Sequence, residues 1–408
     1  METEPGNNVK HRSSETLFEQ VRALPRVVWI LFAGVFINRF GTFVVPFLTL
    51  YLDEGGYSAG QIAWVFASIA SGGLLAMVAG GRLSDLIGRK YTMGIGLIGG
   101  GISMLFLWQV DSFFGYLWAG FLVGATHGVY HPAANSLITD VVPGERRVTA
   151  YAIVRWAVNL GFACGMAVAG FLAEKNFAWL FIGDFVTSTI YGVLAMVTLP
   201  HGVRTSSRKS RWKPALQHMI ANRAFVAFFF AQLLAVGAFF QWGGSVARLI
   251  TDLGYPKTVY GLLMAGSGLV IAIFEIPISQ LGRCLPTRGF IGVGYLLCGI
   301  GVSINGLASG WIVVAIALLV FTVGEMISMP VSSAYLAELA PEQMRGRYSA
   351  AVGFTWSMNH AVAPGLGLVL YESNPSLLWW GMAVLGVLAT GLMMLNPTRA
   401  VDPEKSTD

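Results

Sequence analysis

The sequence predicts an all-α membrane protein with twelve transmembrane helices in two pseudo-symmetric six-helix bundles. Three observations carry this. Apolar residues make up 55% of the 408 residues and charged ones only 12%, against about 25% charge in a soluble domain. The apolar residues come in runs of about 20, enough to cross a hydrocarbon core of about 30 Å. The chain also repeats at a constant offset of 198 positions. Asp53-Glu54-Gly55-Gly56-Tyr57 corresponds to Thr251-Asp252-Leu253-Gly254-Tyr255, and His131-Pro132 to Met329-Pro330. Asp140 and Pro143 correspond to Glu338 and Pro341, and Glu174 and Asn176 to Glu372 and Asn374. An offset without gaps means two copies of one structural unit with equal loop lengths, as in membrane transporters built from two halves.

The predicted spans, numbered 1 to 12, run 27–50, 60–83, 92–110, 114–138, 148–172, 177–199, 224–247, 259–281, 289–308, 312–338, 347–371 and 376–395. Backbone groups in lipid must be satisfied within the segment, so these runs are helices; barrel strands would be shorter and alternating. The 50 glycines suit close helix packing. Residues 1–26 form a polar N-terminal segment without a signal-peptide apolar region, so span 1 is expected to act as an uncleaved insertion signal. The first bundle is 27–199, the linker 200–223, the second bundle 224–395 and the tail 396–408. Within the linker, the spacing of Trp212, Leu216, Met219 and Ile220 predicts a short amphipathic helix on the inner membrane surface.

Basic residues set the orientation. Lys175, Arg248 and Lys257 fall on one side, Arg39 and Arg155 lie inside helices, and the rest of the 26 Lys and Arg share the side of both termini. By the positive-inside rule that side is cytoplasmic, and the expected location is a bacterial inner membrane. The net charge of +5 therefore reports topology, and no nucleic-acid partner follows from it. Cys164, Cys284 and Cys298 lie in or beside apolar runs and read as packing residues rather than disulfides or metal ligands. The sequence lacks a phosphate-binding G-x-x-x-x-G-K-[ST] loop, so ATP is not the expected energy source. No cofactor is expected.

The loop between spans 2 and 3 reads Gly81-Arg82-Leu83-Ser84-Asp85-Leu86-Ile87-Gly88-Arg89-Lys90. Glycines permit a tight turn and close helix approach, Asp85 can face a positive helix N-terminus, and Arg89 can pair with another acid. This stretch resembles the G-x-L-x-D-x-x-G-R-K motif of the major facilitator superfamily, and the resemblance covers the whole membrane portion. It implies two halves rocking around a central site, with Asp85 near Gly346 and Arg347 and Arg89 with Asp140 as a cytoplasmic gate. Gly81, Gly88 and Lys90 complete that gate motif. The offset sends Asp85 to Arg283 and Arg89 to Thr287, so the second copy of the latch is degenerate.

Ionisable residues inside helices each cost about 2.5–3.5 kcal/mol on insertion scales, which makes them candidates for function. Glu325 lies deepest, in the middle of span 10; Glu275 lies in span 8, Asp184 in span 6, Arg39 in span 1 and Arg155 in span 5. Loss of water favours the neutral form of a carboxylic acid, so Glu325 is expected to carry a proton or bind a cationic substrate. Arg39 needs a carboxylate or an anionic group, with Glu325 or Glu275 as the expected partner. Asp184, like Glu275, is a candidate for coupling or substrate binding, the alternative for Asp184 being a solvated structural role near the outer end. His127 and His131 stand one turn apart in span 4, but two ligands do not make a metal site. His127 occupies the pseudo-symmetric place of Glu325, so both are expected to face one cavity. Phe32, Phe36, Phe40, Phe43, Phe228, Phe229, Phe239, Phe240, Trp242, Phe354 and Trp356 are too dense for one helix face, so most are packing or lipid contacts, and a subset on spans 1 and 7 is the candidate for an aromatic cavity.

The stretch from Gly324-Glu325-Met326 through Pro330 to Arg345-Gly346 resembles span 10 and its following loop in proton-coupled oligopeptide transporters. It is also similar to bacterial multidrug transporters with an acid in that span. Span 1 departs from the peptide family, whose E-x-x-E-R-F pattern would put acids at Val35 and Asn38. Span 5 has Gly161, Gly165 and Gly170 without the Gly-Pro step of drug antiporters. The sequence thus points to a proton-coupled secondary transporter of small organic molecules, expected to be a multidrug-type exporter and to act as a monomer. The alternative is a proton-coupled carrier of peptides, amino-acid derivatives or metallophores. An intramembrane metal enzyme or a sensor is more remote, because neither a nucleophile–base pair nor three metal ligands come together in the sequence.

Overall fold

The computed structural model describes residues 21–143, 146–200, 212–281 and 286–395; the surroundings of Gly81, Arg82, Asp85, His131 and a few other side chains within these stretches, and Cys284, lie outside the described residues. Among the described residues all regular structure is helical. Spans 2 to 6 are Ala59–Ile87, Arg89–Gln109, Phe113–Val141, Arg147–Lys175 and Ala178–Thr198. Spans 8 to 12 are Lys257–Leu281, Thr287–Ser303, Trp311–Leu339, Arg345–Ser373 and Pro375–Met394. The first residues of spans 2 to 5 recur 198 positions on as the first residues of spans 8 to 11.

Local chemistry repeats as well. Asn176 accepts the N–H of Ala178 at the start of span 6, and Asn374 accepts that of Leu377 at the start of span 12, satisfying backbone donors that a helix start leaves open. The turns after spans 1 and 7 pivot on Gly56 and Gly254, both at φ 81°, a conformation that L side chains rarely adopt.

Nine helices among the described residues are long and apolar enough to cross a membrane, or ten when Trp212–Ala221 and Arg223–Phe239, bent by 90° to one another, count as one. Phe113–Val141 and Arg345–Ser373 are long enough but more polar, carrying His127 and Asn135 in one and Ser357, Asn359 and His360 in the other. The predicted linker helix is present as Trp212–Ala221: Ala215 and Met219 pack on the protein, while Trp212, Leu216 and Ile220 are exposed.

Two predicted spans are broken. Span 1 is Arg26–Phe40 and Val44–Glu54; span 7 is Arg223–Phe239 and Ser245–Asp252. Gly41 in the first break and Gly243-Gly244 in the second weaken the helix locally, although both breaks lie inside apolar runs predicted as continuous spans. In span 7, Gln241 sits in the break, donates to the carbonyls of Gly237 (3.3 Å) and Ala363 (2.9 Å), and accepts from the Ser245 hydroxyl (2.9 Å). In span 1 the corresponding help comes from another helix, as described below.

The apolar core shows how the halves meet. One core at the end opposite the linker is continuous across both halves, from Phe47 and Phe181 to Trp242 and Leu378. At the linker end there are two cores, one around Leu31 and Tyr191 of the first half and one around Phe228 and Tyr348 of the second. The halves are thus joined at the far end and part toward the linker end. Span 5 packs on span 8, and span 2 on span 11, the pseudo-symmetric counterpart of that pair. Close approach across the halves is direct: a Cβ on Gly261 would meet the Met166 carbonyl at 2.6 Å, and the Thr49 hydroxyl donates to the Gly243 carbonyl at 2.9 Å.

Candidate functional site

Between the halves lies a cavity of about 680 Å³, within the usual range for a small-molecule site. Its walls come from spans 1, 2, 5, 7, 8, 10 and 11, and eight aromatic rings stand in them: Phe66, Phe162, Phe239, Phe240, Trp242, Tyr260, Phe321 and Trp356. Phe239 meets Trp356 edge-on at 5.2 Å between ring centroids, and His360 meets Phe240 at 5.2 Å and Phe66 at 6.4 Å. The second half supplies most of these rings because span 7 breaks at Phe240, turning Phe239, Phe240 and Trp242 into the interior together. Of the aromatic candidates, Phe40 and Phe43 pack among themselves on span 1 at 5.7 Å and do not line the cavity.

Arg39 and Glu325 both line this cavity. Arg39 ends the first helix of span 1, where the negative end of the helix dipole favours a cation. Among the described residues neither Arg39 nor Glu325 forms an ion pair. The expected Arg39–carboxylate pair is therefore not made, because Glu275 is engaged elsewhere. Glu275 of span 8 forms an ion pair with Arg155 of span 5 and accepts from the Asn159 amide at 3.4 Å. That pair ties the two halves together beside the cavity.

His127 does not share the cavity with Glu325, contrary to the expectation from the repeat. Its ring packs against Gly100 of span 3, where a Cβ would lie 2.8 Å from it, and its Nε2 is buried without a partner. The offset places Cys298 where the first half has Gly100. Cys298 is buried and its Sγ reaches the Phe321 carbonyl at 3.8 Å. The space that receives His127 is thus filled in the second half, and Glu325 projects into the cavity instead.

Asp184 is fully buried rather than solvated. It accepts from the Ser188 hydroxyl at 3.2 Å, and Ser188 accepts from the Asn38 amide at 3.0 Å. It also faces the backbone N–H of Val44, the first residue after the break in span 1, where Phe43 offers no side-chain cap. A carboxylate there answers the open donors and the positive end of the helix dipole. Arg39, across the same break, is within electrostatic reach of both Asp184 and His127.

At the linker end, Arg89 Nε meets Asp140 Oδ2 at 3.3 Å, and its Nη1 donates to the Ser84 hydroxyl at 2.9 Å. Gly88 between spans 2 and 3 has φ 93°, which suits the glycine of the motif. Lys90 lies over the Tyr91 ring at 5.1 Å. Gly81 and Asp85 of the motif fall outside the described residues. At the far end, Arg248 pairs with Asp53 across the halves and with Asp252 at 2.9 Å, and Lys257 meets Glu54 at 2.6 Å. Two of the three basic residues on that side thus join the halves, a role invisible in their loop positions. The sequence reading also missed Asn159, His360 and Gln232: the first two line the central cavity and Gln232 lines a neighbouring one, and only the polarity of a lone side chain in an apolar run marked them.

A bundle of this kind, with broken first and seventh spans and a cavity between two related halves, defines a multi-pass membrane transporter rather than an enzyme. The chain belongs to the Major Facilitator Superfamily, whose sequence description matches residues 31–249 and 243–408. It is 24% identical over 394 residues to a Na(+), Li(+), K(+)/H(+) antiporter of Planococcus maritimus, covering 87% of this chain and 91% of that one. It is 23% identical over 375 residues to the quinolone resistance protein NorA of Staphylococcus aureus, covering 88% and 95%. Among solved structures, the nucleoside transporter NupG superposes with a TM-score of 0.74 at 15% identity, covering 91% of this chain and 99% of that chain; this likeness speaks to the fold.

Proposed function

We propose that this transporter exports amphipathic organic molecules across a bacterial inner membrane in exchange for protons, with both termini in the cytoplasm. The observation that carries the reading is the cavity with its aromatic rings in which, among the described residues, Arg39 and Glu325 stand without ion pairs. Aromatic walls bind apolar bodies of varied shape and attract cations to their faces, and an unpaired acid among them can carry a proton or meet a substrate amine. The names of two relatives, a quinolone resistance protein and a cation/proton antiporter, point the same way. In this reading the halves 27–199 and 224–395 rock about the cavity, the 200–223 segment tethers them, and the transporter works as a monomer. Arg39 attracts the anionic part of a substrate. The Arg155–Glu275 pair, Asp184 and His127 hold the framework. Gly81, Asp85, Gly88, Arg89, Lys90 and Asp140 form the cytoplasmic gate.

The test is the purified protein in liposomes under an imposed pH gradient, with Glu325→Gln alongside. Cationic dye flux is expected to follow the gradient, and the variant to lose at least about tenfold of it, or roughly 1.4 kcal/mol in the barrier. Dye flux indifferent to the gradient would refute proton coupling. Gradient-driven accumulation of dipeptides in place of dye would move the substrate class.

A further inference from the structure

We propose that a second, polar cavity beside Glu325 is the route by which this acid exchanges protons with the linker side of the membrane, apart from the path of the substrate. The proposal rests on the proton-coupled reading above. The cavity measures about 380 Å³ and shares Glu325 and Trp356 with the central cavity. Its lining is more polar: Arg155, Gln232, Ser332, Ser333 and Ser349 line it together with Met329, Leu336 and Val352. Ser333 and Ser349 lie on the parts of spans 10 and 11 nearest their connecting turn at 340–344, which is the linker end.

This space is large and polar enough to hold water. Its volume far exceeds the roughly 10–15 Å³ of probe space that one water requires, and Gln232, Ser332, Ser333 and Ser349 on its walls offer such water polar partners. The central cavity, by contrast, is walled by rings, and an aromatic substrate entering it displaces water. An exporter that loaded its substrate and released its proton through one passage would block the second event with the first. A side cavity removes that conflict: one proton leaves the Glu325 carboxyl group to the water beside Gln232, the carboxylate remains, and the proton reaches the linker side past Ser349. Glu325 is faced by Arg155 of span 5, Glu275 of span 8 and Cys298 of span 9, and His360 of span 11 lines the central cavity with it.

The experiment compares two fluxes in proteoliposomes: pH-gradient-driven dye transport, which needs proton exchange, and dye-for-dye counterflow at equal pH, which does not. Gln232→Leu dries the cavity; Ser349→Leu narrows its exposed rim without touching the core; Gln232→Asn keeps a polar lining. Both leucine variants are expected to lose about tenfold or more of gradient-driven flux while counterflow stays near the wild-type rate, and Gln232→Asn to retain most of both. Should Gln232→Leu fail to fold, Ser349→Leu decides alone. Unchanged gradient-driven flux overturns the route, as does a parallel fall in counterflow, which would place the cavity on the substrate path. Full gradient-driven flux in Glu325→Gln would remove the proton-coupled reading itself, a different outcome from a route that fails while Glu325 remains necessary.

Discussion

Removing Arg248 should open the far end of the transporter. Arg248 stands between Asp53 of the first half and Asp252 of its own, and the Tyr371 hydroxyl donates to Asp252 at 2.9 Å. The Arg248 and Asp53 side chains are 26% and 28% exposed, so solvent screens each contact to about 0.2–1 kcal/mol. Arg248→Gln removes the one of these that spans the halves, the contact with Asp53, and leaves Asp53 and Asp252 as neighbouring like charges in the closed state. The closed far end should lose about 1 kcal/mol, which is roughly a fivefold shift in the equilibrium. Spin labels on Lys175 and Leu307, exposed at this end in opposite halves, would report the open fraction by pulsed dipolar spectroscopy. A double-mutant cycle with Asp53→Asn isolates the pair from local effects. Salt near 1 M, where the screening length falls to about 3 Å, should move the wild type the same way. If Arg248→Gln leaves the distance distribution unchanged, or the cycle shows no coupling, the far-end ion pairs do not hold the halves together.

Three further predictions concern the framework. Glu275→Gln leaves Arg155 without its carboxylate; with side chains 43% and 14% exposed, the loss should be about 1–2 kcal/mol, and Arg155→Met/Glu275→Met should recover much of it, read as thermal unfolding in detergent. Asp184→Ala strips the buried Ser188 hydroxyl and the start of Val44–Glu54 of their acceptor and should cost about 1–3 kcal/mol by the same measure, with Asp184→Asn milder. Gly165→Leu should abolish folded protein, because its Cβ would strike the Phe40 carbonyl, whereas Gly381→Ala and Gly391→Ala, with nothing within 4 Å, should behave as wild type by size-exclusion chromatography.

The scaffold was readable because its signals are long and redundant. Apolar runs fix spans, and a repeat at constant offset fixes loop lengths and turn glycines such as Gly56 and Gly254 twice over. The Arg89–Asp140 pair was expected only through the resemblance of Gly81–Lys90 to the superfamily motif, and it is made. What could not be read was direction. A charge inside a helix announces that it needs a partner, but the choice of Arg155 over Arg39 by Glu275 depends on which faces of spans 5 and 8 meet. The breaks at 41–43 and 240–244 carry local glycine signals, but the groups that hold them are remote: Asp184 lies about 140 positions from Val44, and Gln241 bonds to Ala363.

The repeat also misled in one instructive way. It placed His127 and Glu325 at equivalent positions and so suggested equivalent roles. Whether a side chain enters the cavity depends on whether the neighbouring helix offers it space, and the substitution that matters is Gly100 against Cys298. The far end follows the same logic. A two-fold axis repeats each contact, with residue i of one half on j of the other and j on i, so a symmetric far end would make every ion pair twice. Here the first half contributes Asp53, Glu54 and Glu174, while the second contributes Arg248 and Lys257. Their counterparts by the offset, Leu50 for Arg248 and Ala59 for Lys257, carry no charge. Each of these ion pairs is therefore made once rather than twice, because its basic partner is present in the second half alone.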